Sequence, residues 1–418
     1  MTPSPDQPAV IAYVASQLPK RSETFVYREV LGLRARGRDV VAVSVRPPES
    51  DLGDPALDLL AADAVVVYDG RMVFDGLIQA IRSPLALLRG LTDAMLGLGL
   101  SLNQRGKVVV QTLGGLALAR RLRSQGVTHL HAHMAHVPTT IAMVAAHALG
   151  VPFSFTGHAA DLFRDRQLLE PKLTRAAFAA CISHWHRRWY RQIDGRLCDY
   201  RLPIVRCGVD VDDFRPTPEP DGPLGILAVG RLVPKKGFDV LLEAWAGVVG
   251  EWASSTTAEP PTLTLVGDGP EADALSEQAR RLGIEDTVHM VGAESNAKVH
   301  ARMAGCAAFV LPCRPAGDGD RDGIPVVLME AMACGKPVIS GDLHAIRELV
   351  SDNETGCLVP PGYADSLKDA LTGLLTDADR RHRLGEAGRQ RVVDEFSQGV
   401  NLDRLEAAFA EAGANHHG

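Results

Sequence analysis

The sequence predicts an α/β protein built from two open, parallel-sheet halves. A strand, a helix and a second strand open the chain, at residues 10–15, 23–36 and 40–45. A polar, proline-rich run at 215–223 interrupts the pattern, and a fresh strand at 224–229 starts the alternation again. With 418 residues, 46% of them hydrophobic and 23% charged, the chain is long enough for two separate cores.

Bulk properties exclude several classes. A net charge of -7 with scattered cations is not the clustered basic footprint that nucleic acid requires. Seven cysteines (Cys181, Cys198, Cys207, Cys306, Cys313, Cys334 and Cys357) are odd in number and include no C-x-x-C. With a polar, proline-rich start before Val10 in place of a signal peptide, they read as reduced thiols of a cytoplasmic protein. Arg82, Pro84, Arg89 and Asp93 break up the most apolar region, 77–102, which falls short of the ~20 residues of a membrane helix. A helix pair covering the first sheet is the expectation there. An amphipathic surface near the inner face of a membrane or a lipid-linked acceptor is the alternative.

In the first half, the strand at 10–15 leads into a polar loop holding Lys20 and Arg21, then an amphipathic helix that Gly37 ends. Loops after strands lie at the carboxyl edge, where open α/β sheets bind ligands. The two cations either serve an anionic donor or acceptor or are solvated loop charges. No G-x-G-x-x-G follows the strand, which argues against a dinucleotide-dependent oxidoreductase. His129, His131 and His133 alternate along a strand at 127–134 and so share one face. They either line a ligand cleft, pack in the core or, with His136, bind zinc; no acidic or cysteine ligand stands near in sequence, and no metal is expected. The strand at 153–157 ends at Gly157, which permits close approach of a ligand, and His158 and Asp161 follow. If Ser183 caps a helix, His184 and His186 sit about 200° apart around it and do not chelate one ion.

In the second half, Gly230, Arg231 and Lys236 follow the strand at 224–229, and the two cations suit a diphosphate, one as a fork and one as a point charge. A strand at 263–266 ends in the tight turn Gly267-Asp268-Gly269-Pro270, and another runs from 288 to Gly292. Asp318, Asp320 and Asp322 alternate in a glycine-containing loop, expected to act as a mobile flap rather than a metal site. Then comes the stretch around which the chain is organised: Asp322-Gly-Ile-Pro-Val-Val-Leu-Met-Glu-Ala-Met-Ala-Cys-Gly-Lys-Pro-Val-Ile-Ser. Pro325 suits a first helical turn, and Gly335 stops a helix expected over 325–334. The N–H groups of Gly323, Ile324, Val326 and Val327 cluster at its positively polarised start, where a phosphate would sit. Glu330 lies about 7 Å further along the axis, at the distance of a ribose, and Asp322 flanks the helix start where a sugar would be. Polar and apolar residues then alternate at helical spacing from 366, with a last helix near 401–412.

The spacing Asp322-x7-Glu330 with its flanking residues resembles the acidic pair of the retaining family 4 glycosyltransferases of the GT-B fold. Pro19-Lys-Arg-Ser-Glu-Thr-Phe25 is similar to the opening of the exopolysaccharide, colanic-acid type within that family, and Ile204-Val-Arg-Cys-Gly-Val-Asp210 resembles the segment closing its first domain, with Cys207 where Asn is usual. Another departure is Asp322, where the family usually has Glu. The resemblance implies two Rossmann-like domains facing across a deep cleft: an acceptor-binding domain at 1–214, joined by a returning C-terminal helix at 398–418, and a donor-binding domain at 215–397. It implies catalytic roles for His158, Arg231, Lys236, Asp322 and Glu330, and donor contacts at Gly230, Gly267, Asp268, Gly292, Gly323, Ile324, Pro325 and Val326. Lys20, Arg21, His133 and Asp161 fall on the acceptor side. The implied activity is retaining transfer from a nucleoside diphosphate sugar, UDP favoured over GDP, to a hydroxyl of a saccharide, lipid-linked or small-molecule acceptor, without cofactor or metal. A nucleotide-sugar isomerase or hydrolase, and an inactive sugar-nucleotide-binding partner subunit, are the alternatives.

Overall fold

The structure is a computed structural model that describes residues 10–50, 52–97, 99–158, 166–217, 224–255 and 258–416. It separates into two compact units, Met1–Arg206 with Leu402–Gly418, and Cys207–Asn401.

The first unit runs β1 (Val10–Ala15), α1 (Thr24–Ala35), β2 (Val40–Ser44), α2 (Pro55–Asp63), β3 (Val65–Val66), α3 (Met72–Arg82), α4 (Pro84–Leu96), α5 (Leu102–Leu122), β4 (Val127–His133), α6 (Val137–Leu149), β5 (Phe153–Gly157), α7 (Leu169–Arg175), β6 (Ala179–Cys181) and α8 (His184–Ile193). Its six strands pair in parallel in the order β3-β2-β1-β4-β5-β6. Both faces of the sheet are covered, which is why its strands read as apolar runs. Ala12 and Val14 of β1 pack toward α5 and α6, with Leu118, Leu122, Ile141 and Ala145. Ile11, Tyr13 and Ala15 pack toward α1, with Val26, Val30 and Leu33. That second face also receives Leu402, Leu405, Ala408 and Ala412 of the last helix, Gln398–His416, which thus returns to the first unit. Arg36 reinforces it, donating to Asp403 at 2.6 Å and Glu406 at 2.7 Å.

The second unit runs β7 (Gly225–Val229), α9 (Phe238–Ser255), β8 (Thr262–Val266), α10 (Ala272–Leu282), β9 (Val288–Met290), α11 (Asn296–Gly305), β10 (Ala308–Leu311), α12 (Val326–Ala333), β11 (Val338–Gly341), β12 (Cys357–Val359), α13 (Ala364–Thr376) and α14 (Ala378–Arg391); α15 is the returning helix. The strand order β12-β11-β10-β7-β8-β9 is that of the first unit read from the opposite edge. Each unit therefore has one topological switch point, between β1 and β4 and between β7 and β10, where the strand order reverses and open α/β sheets take ligands.

Two expectations need correction. Residues 77–102 do not lie on the first sheet: α3 and α4 pack on α5 and α6, which already cover it. Pro325 stands just before α12, with ψ 127°, so the helix starts at Val326; Gly335, with φ 70°, ends it as expected.

At the carboxyl edge of the second sheet the loops after β10 and β11 touch. A Cβ on Gly341 would lie 1.8 Å from the Cys313 carbonyl oxygen, an approach that only glycine allows and that no flexible side chain can relieve. Gly341→Ala is therefore expected to destabilise the second unit by roughly 2 kcal/mol or more, read as a lower urea midpoint; an unchanged midpoint contradicts this packing.

Candidate functional site

The turn after β7 is drawn against the end of β10. Pro234–Lys236 forms one 3-10 turn that Gly237 ends at φ 70°, and a Cβ there would meet the Pro312 carbonyl oxygen at 2.3 Å. This close approach delivers Lys235 and Lys236 to the switch point. Lys236 Nζ lies 2.8 Å from Asp322 Oδ2, and Lys235 Nζ lies 3.4 Å from Asp322 Oδ1 and 3.2 Å from Asp320 Oδ2. The Cys313 thiol donates to Asp322 Oδ2 at 3.2 Å. Burial works against the charge of Lys236, but Asp322 overrides it and raises the pKa. Burial likewise favours neutral Asp322, and Lys236 with Lys235 brings it below the usual carboxylate range. The Cys313 thiol is pushed well above its ordinary value, by burial and then by Asp322, so it stays protonated as a donor. Lys236 and Asp322 therefore form an ionised pair beside the start of α12, with Lys235 alongside.

Asp322 sits four residues before α12, and helix geometry leaves the N–H groups of Val326 and Val327 without an intrahelical acceptor. Gly323, Ile324 and Pro325 fill the approach to that start, and Glu330 is half-buried one turn into the helix. Alongside, Gly230 N–H donates to Val266 O at 3.0 Å and Gly267 N–H to Gly292 O at 2.9 Å, which stitches the ends of β7, β8 and β9 into one rim. Asp268 serves that rim directly: its carboxylate accepts from Gly269 N–H at 2.7 Å and its carbonyl from Leu232 N–H at 2.9 Å. Arg231 is exposed and has no acidic partner among the described residues. The loop carboxylates are engaged within the protein: Asp318 accepts from Asp320 N–H at 3.0 Å, and Asp320 and Asp322 face the lysines.

The first unit assembles a second cluster. Alternation along β4 puts His129, His131 and His133 on one buried face. His133 Nδ1 lies 3.1 Å from His158 Nε2, and His133 Nε2 lies 2.7 Å from the Tyr13 hydroxyl and 3.1 Å from Glu29 Oε1. Phe25 packs against His158 with ring centroids 4.6 Å apart and the planes tilted by 38°. The segment around Phe25, the alternating histidines and the strand ending at His158 thus meet at one place. Burial, then the neighbouring His133, holds His158 well below the ordinary histidine pKa, so a neutral imidazole stands at the end of β5. His131 is held down in the same way.

Glu29, His131 and His133 bring three ligand-capable atoms within 4.8 Å of one another. The histidine nitrogens are already engaged by hydroxyls: His131 meets Ser154 Oγ at 2.7 Å and Thr156 Oγ1 at 3.0 Å, and His133 meets Tyr13. The arrangement fits a satisfied hydrogen-bond network better than a metal centre. Ser183 caps α8, its hydroxyl accepting from His186 N–H at 3.0 Å, and His186 is buried inward, held down to a pKa of about 3 by that burial.

Lys20 and His136 line a cavity of about 690 Å³ at the first switch point, together with Ser16, Arg46, Tyr68 and Lys107. Lys20 also pairs with Glu23 at 2.5 Å, while Arg21 N–H donates to the Glu49 carboxylate at 2.8 Å. Asp161 lies outside the described residues. The sequence reading had not singled out Tyr13, Glu29, Lys235 or Cys313. Of these, Glu29 had a signal, since it falls four residues after Phe25 on one face of α1.

The family model for glycosyl transferases group 1 matches residues 210–391. Over 221 residues the chain is 34% identical to a GDP-mannose-dependent alpha-(1-6)-phosphatidylinositol monomannoside mannosyltransferase of Mycobacterium tuberculosis, covering 50% of this chain and 55% of that one. It is 34% identical over 215 residues to the putative colanic acid biosynthesis glycosyltransferase WcaL of Escherichia coli K12, covering 51% of each. The chain thus spans about half the length of these two relatives. A phosphatidyl-myo-inositol mannosyltransferase of Mycobacterium leprae is 31% identical over 281 residues, 63% of this chain and 68% of that one. Among solved structures, the sucrose-phosphate synthase of Thermosynechococcus elongatus superposes with a TM-score of 0.74 at 17% identity, over 98% of this chain and 100% of that one. Anabaena Alr3699/HepE, in complex with UDP and glucose, does so at 0.69 and 16%, over 96% and 99%. At these identities the likeness concerns the fold, which is the GT-B class. Matched to a relative across two thirds of its length, and carrying that fold and the family model's segment, the chain belongs to the group 1 glycosyltransferases of family 4.

Proposed function

We propose that this protein transfers a sugar from a nucleoside diphosphate sugar to an acceptor hydroxyl with retention of configuration. The observation that carries the reading is the Lys235–Lys236–Asp322 cluster at the start of α12, at the switch point of the second sheet. A diphosphate entering there meets two opposed advantages. The unfilled N–H groups and dipole of α12 attract it, and it supplies the lysines with an anionic partner that frees Asp322 to accept from sugar hydroxyls. Arg231, exposed and without an acidic partner among the described residues, adds a fork to the departing phosphate. Glu330, one turn in, meets the ribose.

With Asp322 turned to the sugar hydroxyls rather than acting as a nucleophile, the step in this reading is a same-face displacement. The bond from anomeric carbon to phosphate oxygen breaks, the acceptor oxygen bonds to that carbon, and the acceptor proton passes to the departing phosphate. Lys236, Arg231 and the amides at the start of α12 stabilise the charge that develops. On the first unit we assign neutral His158, which meets His133 and Phe25, a hydrogen-bonding role toward a sugar, and Lys20 and Arg21 a role toward the acceptor. The seven unbridged cysteines suit a cytoplasmic setting. No helix among the described residues is long and apolar enough to cross a membrane. The acceptor is a saccharide, a lipid-linked intermediate or a small molecule, and the colanic acid biosynthesis naming of the Escherichia coli relative favours the first two.

On the donor base, the relatives move the balance from UDP to GDP. The Mycobacterium tuberculosis relative is named GDP-mannose-dependent, whereas the UDP complex belongs to a neighbour similar in fold alone.

Lys236→Ala and Glu330→Ala are each expected to lower kcat/KM for transfer on the order of hundredfold while the chain keeps its far-UV spectrum. Wild-type transfer in either variant overturns the assignment. In calorimetric titration, GDP-mannose is expected to bind about tenfold or more tightly than UDP-glucose; the reverse order restores the uridine donor.

A further inference from the structure

Helices α3 and α4 are built inside out. Toward α5 and α6, α3 turns Asp75, Gly76, Gln79 and Ala80, and α4 turns Ala86, Gly90, Asp93 and Ala94. The two buried acids are neutralised from within: Asp75 accepts from Arg120 at 3.1 Å and Arg121 at 3.0 Å, and Asp93 forms a two-point pair with Arg175 at 2.6 and 2.7 Å. Small residues let the helices approach closely; Gly90 sits where a Cβ would be 2.4 Å from the Thr112 side chain.

The large apolar residues are on the other side. On α3, Val73, Phe74, Leu77 and Ile81 fall within roughly 100° of the helical wheel, and Ile81 is 83% exposed. On α4, Leu85, Leu88, Met95 and Leu96 fall within roughly 100°, and Leu85 is 73% exposed. A globular helix normally does the reverse, burying its leucines and exposing its acids. One short loop at Ser83 joins the two stripes, and they are too extensive for the scattered apolar exposure of an ordinary surface.

The charges around them are mostly basic. Residues 71–122 hold seven basic and two acidic side chains, and both acids are the buried ones, while the whole chain has 44 Lys and Arg against 51 Asp and Glu. Arg82 and Arg89 are exposed within or beside the apolar stripes. Behind α3, a cavity of about 610 Å³ is lined by Arg71, Arg82 and Arg123, and by Arg120 and Arg121 with the acids they hold, Asp69 and Asp75. Of these, Arg71, Arg82 and Arg123 have no acidic partner among the described residues.

From this combination we propose that the outer face of α3 and α4 docks onto an anionic phospholipid bilayer. The eight apolar side chains enter the boundary between headgroups and acyl chains, and the arginines at the rim meet lipid phosphates. Interfacial helices seat themselves in this way, by a broad apolar face with cations alongside, without crossing the bilayer. A protein partner would require a complementary acidic, apolar surface, and nothing on this chain, itself negative overall, demands one. The proposal does not depend on the transfer reaction.

The test is vesicle flotation of the full chain without any sugar nucleotide. Wild type is expected to float with phosphatidylglycerol–phosphatidylethanolamine vesicles, much less with phosphatidylcholine, and less at high salt. Leu77→Glu/Ile81→Glu/Leu85→Glu should weaken binding by about tenfold or more at a little-changed melting temperature, since each of these side chains is more than half exposed. Arg82→Glu/Arg89→Glu, which leaves every apolar residue in place, should abolish the preference for anionic vesicles. Wild type that stays in the aqueous fraction overturns the proposal, as does a triple variant that floats like wild type. A dimer that light scattering detects in wild type and not in the triple variant, with no vesicle binding, reassigns the face to contact between copies of the chain.

Discussion

The ion pair between Lys236 and Asp322 organises the second unit's candidate site. An aspartate this enclosed, with 13% of its side chain exposed, is held ionised by two lysines that reach it because the turn after β7 lies against the end of β10. That contact requires a residue without a side chain at Gly237 and a parallel sheet whose order reverses between these two strands. Removing one partner of so enclosed a pair leaves its counterpart uncompensated, which is more costly than losing a surface ion pair. Asp322 is also what lets two adjacent cations stand together at this turn.

The first unit uses histidine where the second uses lysine. Its cluster is buried and fixed by hydroxyls and one glutamate, with His131 and His158 held neutral by burial, so it provides directed hydrogen bonds. This division suits the proposed chemistry, in which charge changes on the phosphate and sugar hydroxyls need only positioning. Both clusters lie at carboxyl ends of strands beside a switch point, although the side chains differ entirely. The inverted helices α3 and α4 belong to neither cluster; their buried acids and exposed leucines are what the proposed bilayer contact rests on.

Much of the fold was readable in the sequence because the strands are short apolar runs bounded by glycine and polar loops. The strand at 10–15, the one ending at Gly157 and the stop at Gly335 stand where local chemistry puts them. Periodicity did not reveal the layer to which α3 and α4 belong, since an apolar stripe indicates burial against something without saying what. In the site, residues at the right spacing in one segment, such as Asp322 and Glu330, were visible. Partners supplied by tertiary structure, such as Tyr13 and Cys313, were not. Lys235 was passed over because a solvated lysine and one at a switch point look alike in a string; the Gly237 contact with Pro312 tells them apart. The departure Asp322, with its shorter reach than Glu, is matched in the structure by lysines that come to it.

Hydrogen–deuterium exchange on the full chain, with and without GDP-mannose or UDP-glucose, tests the central claim most directly. The account predicts donor-dependent protection at the amides of Gly323, Ile324, Val326 and Val327 and across the Lys235–Gly237 turn, with either nucleotide that binds. Saturating donor that leaves those amides exchanging as in the free protein, while protecting another region, would contradict it.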